Sequence, residues 1–424
     1  MRLPTSFVVL TLLSSTLGSA APTLSASLAR RAATAITSTW DLSNLTVAAV
    51  RAPPRGWPLP VMNKDWDAAD VGYDLNATVD YGVELIAEAA AKGAKVVAFP
   101  ETWVPGYPKG YDENDWMLKH VDAYIANSLV VGSSQWEQFV AAAATNEVYV
   151  GLGYSEREGD HIYMAQALFG PHGEVLIHRH KLRPSGGERD LWSDGTVQQL
   201  EVVSTPIGRI SMLECWEHFH PAMTFPIQVQ TPDLHIGPFP YNPQINDTTA
   251  QWWEDVEVNF AATRVFAVNS GAVTLTAGVG GAVIFSGQGA KLAEGEANDS
   301  FDETPILYAS VNATRFANVT SNANGEQSWD ILQQIEAAIP AYIPQVNGTL
   351  VPQRNTSIKA LEAAAANYSG THPNATISTS SSIAAANATG TAAIAAVQTG
   401  ASSLLAAQGF VVIASVALGA AILA

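Results

Sequence analysis

Cysteine occurs once in this 424-residue chain, so no internal disulfide can staple the fold and an apolar core must hold it together. Charge is sparse as well, at 14% of residues, and basic side chains are the scarcer kind: 21 Lys and Arg against 39 Asp and Glu leave a formal charge of −18. That deficit argues against nucleic acid and anionic membrane surfaces as partners, because both need a basic patch, and leaves small neutral substrates open. No internal repeat stands out at periods of about 20–50 residues, which argues against a solenoid or propeller. Beyond Glu362 there is no Lys, Arg, Asp or Glu at all.

The two ends read differently from the middle. Residues 1–20 have the form of a secretory leader, with Arg2 before an apolar stretch from Phe7 to Leu13 and small residues at Gly18-Ser19-Ala20. Residues 21–43 read as a linker or pro-segment, in which Arg30-Arg31 is either a dibasic cleavage site or two solvated arginines. The final stretch, 404–424, is small and apolar with no basic flank, the pattern of a GPI-anchor signal rather than a stop-transfer helix; a hydrophobic tail anchor is the alternative. Eleven Asn-x-Ser/Thr sequons fit a secreted or cell-surface glycoprotein. Residues 346–403, rich in Ala, Ser, Thr and Asn, read as a glycosylated, disordered stalk. What remains, 44–345, is long enough for one large domain.

Within it, strands and helices alternate. Leu45–Val50 reads as a strand, a helix follows with Val79, Val83, Ile86 and Ala90 on one face and Asn76 or Thr78 as its cap, and Lys95–Phe99 reads as a buried strand ending at Pro100-Glu101. Ser134 with Glu137 has the form of a capping box. Ile162–Phe169 with Glu174–His180 reads as a hairpin ending at Lys181, and a second strand pair runs into Cys215. Downstream, Trp252–Thr263 reads as helix, Val265–Asn269 as strand, and Ser328–Ile339 as an amphipathic helix. The mixed order with hairpins predicts two mixed sheets covered by helices. Carboxylate, ammonium and thiol would all then sit at strand ends, where α/β sheets carry their chemistry.

A lone cysteine is ordinarily a small buried hydrophobe. Cys215 differs in its address, where an apolar strand meets a helix start at Trp216, whose amides could favour a thiolate or an oxyanion. It differs too in its company: FPETWVPGYPKG (99–110), HRHKLRPSGGERDLW (178–192) and LECWEHFHP (213–221). These three motifs, in this order, resemble the nitrilase superfamily of carbon-nitrogen hydrolases, and the Trp and His after the cysteine resemble its nitrilase and cyanide hydratase branch. The resemblance runs from about Leu45 to Val311.

It implies a four-layer α-β-β-α sandwich in a single catalytic domain, and a Glu-Lys-Cys triad: Glu101 as proton acceptor, Lys181 as stabiliser of the intermediate and Cys215 as nucleophile, with Glu188 orienting the lysine and substrate. The implied reaction is hydrolysis of an organic nitrile to acid and ammonia, with no metal and no organic cofactor. The same triad could instead hydrolyse an amide or hydrate a nitrile or cyanide, and a non-catalytic surface binding protein or a cell-wall protein is the alternative from another class.

Trp103 and Trp216, beside the expected triad, are candidates for the substrate pocket or for plain core; Trp252 and Trp253 read as core or subunit contact. His178/His180 and His218/His220 have the spacing of metal pairs, yet no Cys, Asp or Glu run with matching spacing completes either. The long loop Pro53–Trp66, Gly186-Gly187 and the region beyond Val311 depart from the family pattern. Relatives assemble through such surfaces, so a homo-oligomer stays open as a partner.

Overall fold

Hydrophobic alternation builds two six-stranded sheets in this computed structural model, which describes residues 39–57, 72–108, 116–244, 250–318, 329–338 and 353–367. Strands are β1 Leu45–Val50, β2 Ala94–Ala98, β3 Tyr149–Glu158, β4 His161–Phe169, β5 Val175–His180, β6 Val203–Thr205, β7 Gly208–Met212, β8 Leu234–Ile236, β9 Tyr241–Asn242, β10 Val273–Thr276, β11 Val279–Gly280, β12 Ala282–Phe285, β13 Lys291–Gly295 and β14 Ile306–Val311. One sheet has the order β14-β1-β2-β3-β4-β5, the other β13-β12-β10-β8-β7-β6, and β9 with β11 forms a small ladder. In each sheet a parallel centre (β1-β2-β3; β7-β8-β10) is flanked by antiparallel edges.

The alternation places Val47, Val96, Ala98, Ile210, Met212, Ile236 and Leu275 between the sheets as one buried cluster. The opposite face of the first sheet packs Val97, Phe99, Val150 and Leu152 with Val79, Ile86 and Phe139 of the helices Leu75–Ala91 and Ser134–Asn146. Val283 and Phe285 of the second sheet pack with Phe260 and Ala267 of the helix Val256–Ser270. Helix, sheet, sheet and helix thus form the four expected layers.

Local details depart from expectation. The first helix is capped by Asp74, whose carboxylate accepts from Ala77 N, and the second by Ser133, which accepts from Trp136 N. Val265–Asn269 is helical: Asp255 caps at one end, Gly271 at φ 73° stops the other, and Phe260, Phe266 and Ala267 are buried at helical spacing while Val265 and Val268 face solvent. An amphipathic helix here outweighs the strand preference of β-branched residues. The helix Trp329–Ala337 forms as expected, with Leu332 and Ile335 about half exposed.

Residues 353–367, inside the expected stalk, lie on the domain. Ser357 caps the helix Ile358–Ala366, Ile358 and Leu361 are buried, Arg354 N donates to Asp194 Oδ2 at 2.8 Å, Thr356 N to Ser193 Oγ at 2.8 Å and Ile358 N to the Asp160 carbonyl at 2.8 Å. An alanine-rich segment too short to fold alone gains its helix by docking two apolar anchors and satisfying its amides on the domain. Sequence composition averages over such anchors, and so it gives no sign of them. The leader, Arg30-Arg31, the rest of the stalk and the apolar tail lie outside the described residues; among those described, no helix is long and apolar enough to cross a membrane.

Candidate active site

Glu101 and Cys215 come from different sheets and are joined through one short segment. Glu101 follows β2 and donates its amide to the Phe239 carbonyl at 3.2 Å; Cys215 follows β7 and donates its amide to the Pro238 carbonyl at 2.8 Å. Residues 238–239 leave the end of β8, so the C-terminal ends of parallel strands in both sheets converge on one spot. Lys181 arrives from the first sheet just past β5, its amide bonded to Met164 O at 2.8 Å.

Two glycines make the approach possible. A Cβ on Gly153 would stand 2.3 Å from the Pro100 carbonyl and 2.8 Å from Glu101 Cα, and one on Gly195 would stand 2.5 and 2.7 Å from the carbonyls of His180 and Lys181. Thr102 and Cys215 adopt φ of 44° and 46°, conformations costly for non-glycine residues. For Cys215 the surroundings over-determine the turn: the five-residue 3-10 helix Cys215–Phe219 starts there, and Glu217 Oε2 accepts from Glu214 N at 2.7 Å.

Lys181 Nζ is fully buried and donates to Glu101 Oε1 at 2.7 Å and Glu188 Oε2 at 2.8 Å. Burial alone would lower its pKa, but Glu101 and Glu188 outweigh that and hold it well above the usual lysine value, so it stays cationic. Glu188 is fixed in turn by the Ser185 amide at 2.6 Å and the Tyr107 hydroxyl at 3.0 Å. Burial pushes Glu101 up to about 7 against the pull of Lys181, which makes it a carboxyl able to exchange a proton near neutrality. Its Oε2 has no well-formed hydrogen bond, and the Cys215 thiol is close enough to interact with this carboxylate.

Burial, followed by Glu101, pushes the Cys215 thiol well above its ordinary value. The resting group is therefore a neutral thiol, contrary to the expectation of a thiolate favoured by helix amides; the helix is too short to supply that field. Any attack by this thiol would therefore require its deprotonation, and the Glu101 carboxylate is close enough to receive the proton.

Sequence reading missed several residues here. Tyr107 lies inside the first motif, where nothing in the sequence distinguishes it from the neighbouring tryptophan. Glu214, the residue before the cysteine, is fully buried, neither carboxylate oxygen has a hydrogen bond, and burial followed by Glu101 raises it well above the carboxylate range, so it is a neutral acid. His218 Nδ1 donates to the Cys215 carbonyl at 2.7 Å; its Nε2 meets His235 Nε2 at 2.8 Å, and His235 Nδ1 meets Ser211 Oγ at 2.7 Å. Burial lowers both histidines, so a neutral chain with fixed tautomers pins the carbonyl of the cysteine. His220 is exposed and takes no part in this chain.

Cys215 and Glu188 open into a cavity of about 290 Å³ whose walls include Tyr107, Trp216, Phe239, Tyr241, Trp252 and Trp253. Of the two readings open for Trp216, pocket wall or core, the structure takes the first, with Trp252 edge-on at a 5.8 Å ring separation. For Trp103 it takes the core: the residue is 1% exposed among the helix-side core residues and its Nε1 donates to Ala52 O at 2.9 Å. Trp252 and Trp253, expected in the core or an interface, are walls of this cavity, and Trp252 is 66% exposed. The buried amide oxygen of Asn259, also at the cavity, has no hydrogen bond.

Residues 46–319 match the carbon-nitrogen hydrolase family. A nitrilase of Alcaligenes faecalis, described as arylacetone-specific, is 35% identical over 216 residues, covering 50% of this chain and 59% of its own. A nitrilase of Pseudomonas syringae pv. syringae is 39% identical over 203 residues, covering 47% and 60%, and a cyanide hydratase of Alternaria brassicicola is 38% identical over 177 residues, covering 40% and 48%. The match spans less than two thirds of the length of each of these relatives. Among solved structures, an amidase from Nesterenkonia sp. superposes with a TM-score of 0.47 at 18% identity, over 68% of this chain and 98% of that one.

Proposed function

Because this chain belongs to the carbon-nitrogen hydrolase family, we propose that it is a nitrilase, converting an organic nitrile with an apolar, preferably aromatic, substituent to the carboxylic acid and ammonia. The observation that carries the reading is one buried ammonium held at 2.7 and 2.8 Å by two carboxylates, beside a thiol that opens into an aromatic cavity.

Glu101 accepts the thiol proton as Sγ of Cys215 bonds to the nitrile carbon, and returning that proton to nitrogen gives a thioimidate. Water adds, Glu101 taking one of its protons and passing it to nitrogen; the remaining hydroxyl proton follows to the departing nitrogen as the carbon–nitrogen bond breaks, so ammonia leaves, a thioester remains and Glu101 is again a carboxylate. A second water, activated in the same way, releases the acid and restores the thiol. The balance is one nitrile and two waters to one acid and one ammonia. Negative charge builds on nitrogen and then on oxygen, and the Lys181 ammonium can answer both without reorganising. Glu188 and Tyr107 keep it aimed.

Hydration to the amide is the nearest rival, and the cyanide hydratase likeness favours it. The size of the cavity favours hydrolysis of a larger nitrile, since about 290 Å³ far exceeds what cyanide requires. The purified chain should release ammonia and carboxylate in equal amounts from phenylacetonitrile. Accumulation of amide would replace nitrilase by hydratase, and turnover of amides alone would replace it by amidase. With Glu101 raised to about 7, kcat/KM should climb as the carboxyl loses its proton through about pH 7 and then level, because Lys181 stays charged. A profile flat from about pH 5 to 8 would remove Glu101 from the role of base.

Secretion as a glycoprotein belongs to the same proposal. It is supported by the exposure of all six sequon asparagines whose side chains are described: Asn44, Asn76, Asn298, Asn312, Asn355 and Asn367. Protein expressed in its own secretory pathway should lose mass on treatment with an endoglycosidase, and an unchanged mass would count against the placement.

A further inference from the structure

On the face of the first sheet turned away from Lys181, three side chains aim at one point. Glu156 is on β3, His178 and His180 are on β5, and the intervening strand β4 carries only Ala165 and Ala167 opposite the two histidines. Those methyl groups leave room for the flanking side chains to meet above them. Glu156 Oε2 is 2.7 Å from His178 Nε2 and 3.2 Å from His180 Nε2, and the three ligand atoms all lie within 4.8 Å of one another.

We infer that Glu156, His178 and His180 form a binding site for a divalent transition-metal ion, with Zn²⁺ the best fit. Two imidazole nitrogens and one carboxylate oxygen are the donor set of many zinc sites, and bonds of about 2.0–2.2 Å in a tetrahedron put ligand atoms on the order of 3.4 Å apart. The Glu156–His180 separation already matches, and the closer Glu156–His178 pair needs only a rotamer adjustment. Surrounding contacts hold the ligands in place: Tyr154 Oη donates to the same carboxylate oxygen at 3.2 Å, Tyr163 stacks on His180 at 3.9 Å and 5° between planes, and Trp136 meets His178 edge-on. Glu156 and His180 are nearly buried, whereas the His178 side chain is 33% exposed, which gives an ion a route in and leaves a fourth position for water. Burial would raise Glu156, but hydrogen bonds from the two histidines hold it near 2, so the carboxylate is always charged.

The ion would clip β3 to β5, the strand that delivers Lys181. It lies on the wrong face of the sheet to touch the thiol, so its role is structural and the inference stands apart from the nitrilase reading. The spacing of His178 and His180 alone could not show it, because the third ligand comes from more than twenty residues upstream on another strand.

The test uses the full chain stripped with EDTA and titrated with ZnCl₂ at about pH 8, because metal binding displaces protons from its ligands and is favoured by mildly alkaline pH. Calorimetry should give one equivalent bound with roughly micromolar or tighter affinity, and Co²⁺ in its place should show the intense visible bands of a four-coordinate site. His178→Ala and the near-isosteric Glu156→Gln should each weaken binding at least about tenfold while keeping the wild-type circular dichroism. An isotherm unchanged in both variants would overturn the assignment by moving the ion elsewhere, for instance to His218 and His235. No saturable binding by the wild-type chain would reduce the cluster to a hydrogen-bonded trio.

Discussion

Replacing Cys215 with alanine is expected to abolish nitrile turnover, with a loss in kcat of roughly 10⁶-fold, the scale seen when a nucleophile is removed from residues that act as a unit. Every covalent step in the proposed cycle runs through Sγ, and no second cysteine exists to substitute. The fold should tolerate the change. Cys215 is 7% exposed and its thiol is neutral, so its loss removes little packing and leaves the buried ion pairs of Lys181 with Glu101 and Glu188 in place. The positive φ at this position penalises alanine about as it penalises cysteine. Thermal unfolding should therefore shift by only a few degrees. Ammonia release from phenylacetonitrile, measured beside the melting curve, checks both halves; equal release by both proteins would end the catalytic reading.

Lys181→Met is expected to damage both activity and stability. Removing the ammonium takes away the charge that answers the developing anion, a loss of at least about 10²–10³ in kcat. It also leaves Glu101 and Glu188 buried without their shared cation, which costs about 3–5 kcal/mol when one partner of a buried pair is deleted. The sign with pH follows. Burial already raises Glu101 and Lys181 pulls it back, so without Lys181 this carboxyl holds its proton more tightly still when folded than when unfolded. The variant should be closest to wild type at or below the unfolded carboxyl pKa of about 4.3 and fall behind as pH rises through neutrality. Urea denaturation at about pH 5 and 8 measures the gap, and a gap that does not widen with pH would mean that the ammonium does not favour the charged form of Glu101.

How much of this was legible beforehand differs from residue to residue. Glu101, Lys181, Glu188 and Cys215 stand in short motifs at strand ends, and alternating apolar residues named the strands that bring them together. Glu214, just past the end of β7, reads in the sequence as any polar neighbour of the cysteine. Only burial without a hydrogen bond shows that it must be neutral. Trp103 and Trp252 exchanged roles for a similar reason. Closeness to a motif in sequence set one beside Glu101, while the fold turned its ring into the helix-side core and brought the other, 37 residues beyond Cys215, round to the cavity.

The sequence by itself determined the layered α/β architecture, the acidic balance and the three motifs that mark Glu101, Lys181 and Cys215 as candidate reacting groups, because hydrophobic period, composition and short motifs are local properties written in consecutive residues. Tertiary structure decided what depends on distant segments meeting: the neutral state of the thiol, the aromatic walls, the docking of residues 353–367, and the convergence of Glu156 with two histidines across a pair of alanines. A pKa, a cavity wall and a ligand triangle are each set by neighbours within a few ångströms, and most of those neighbours lie tens or hundreds of residues away along the chain.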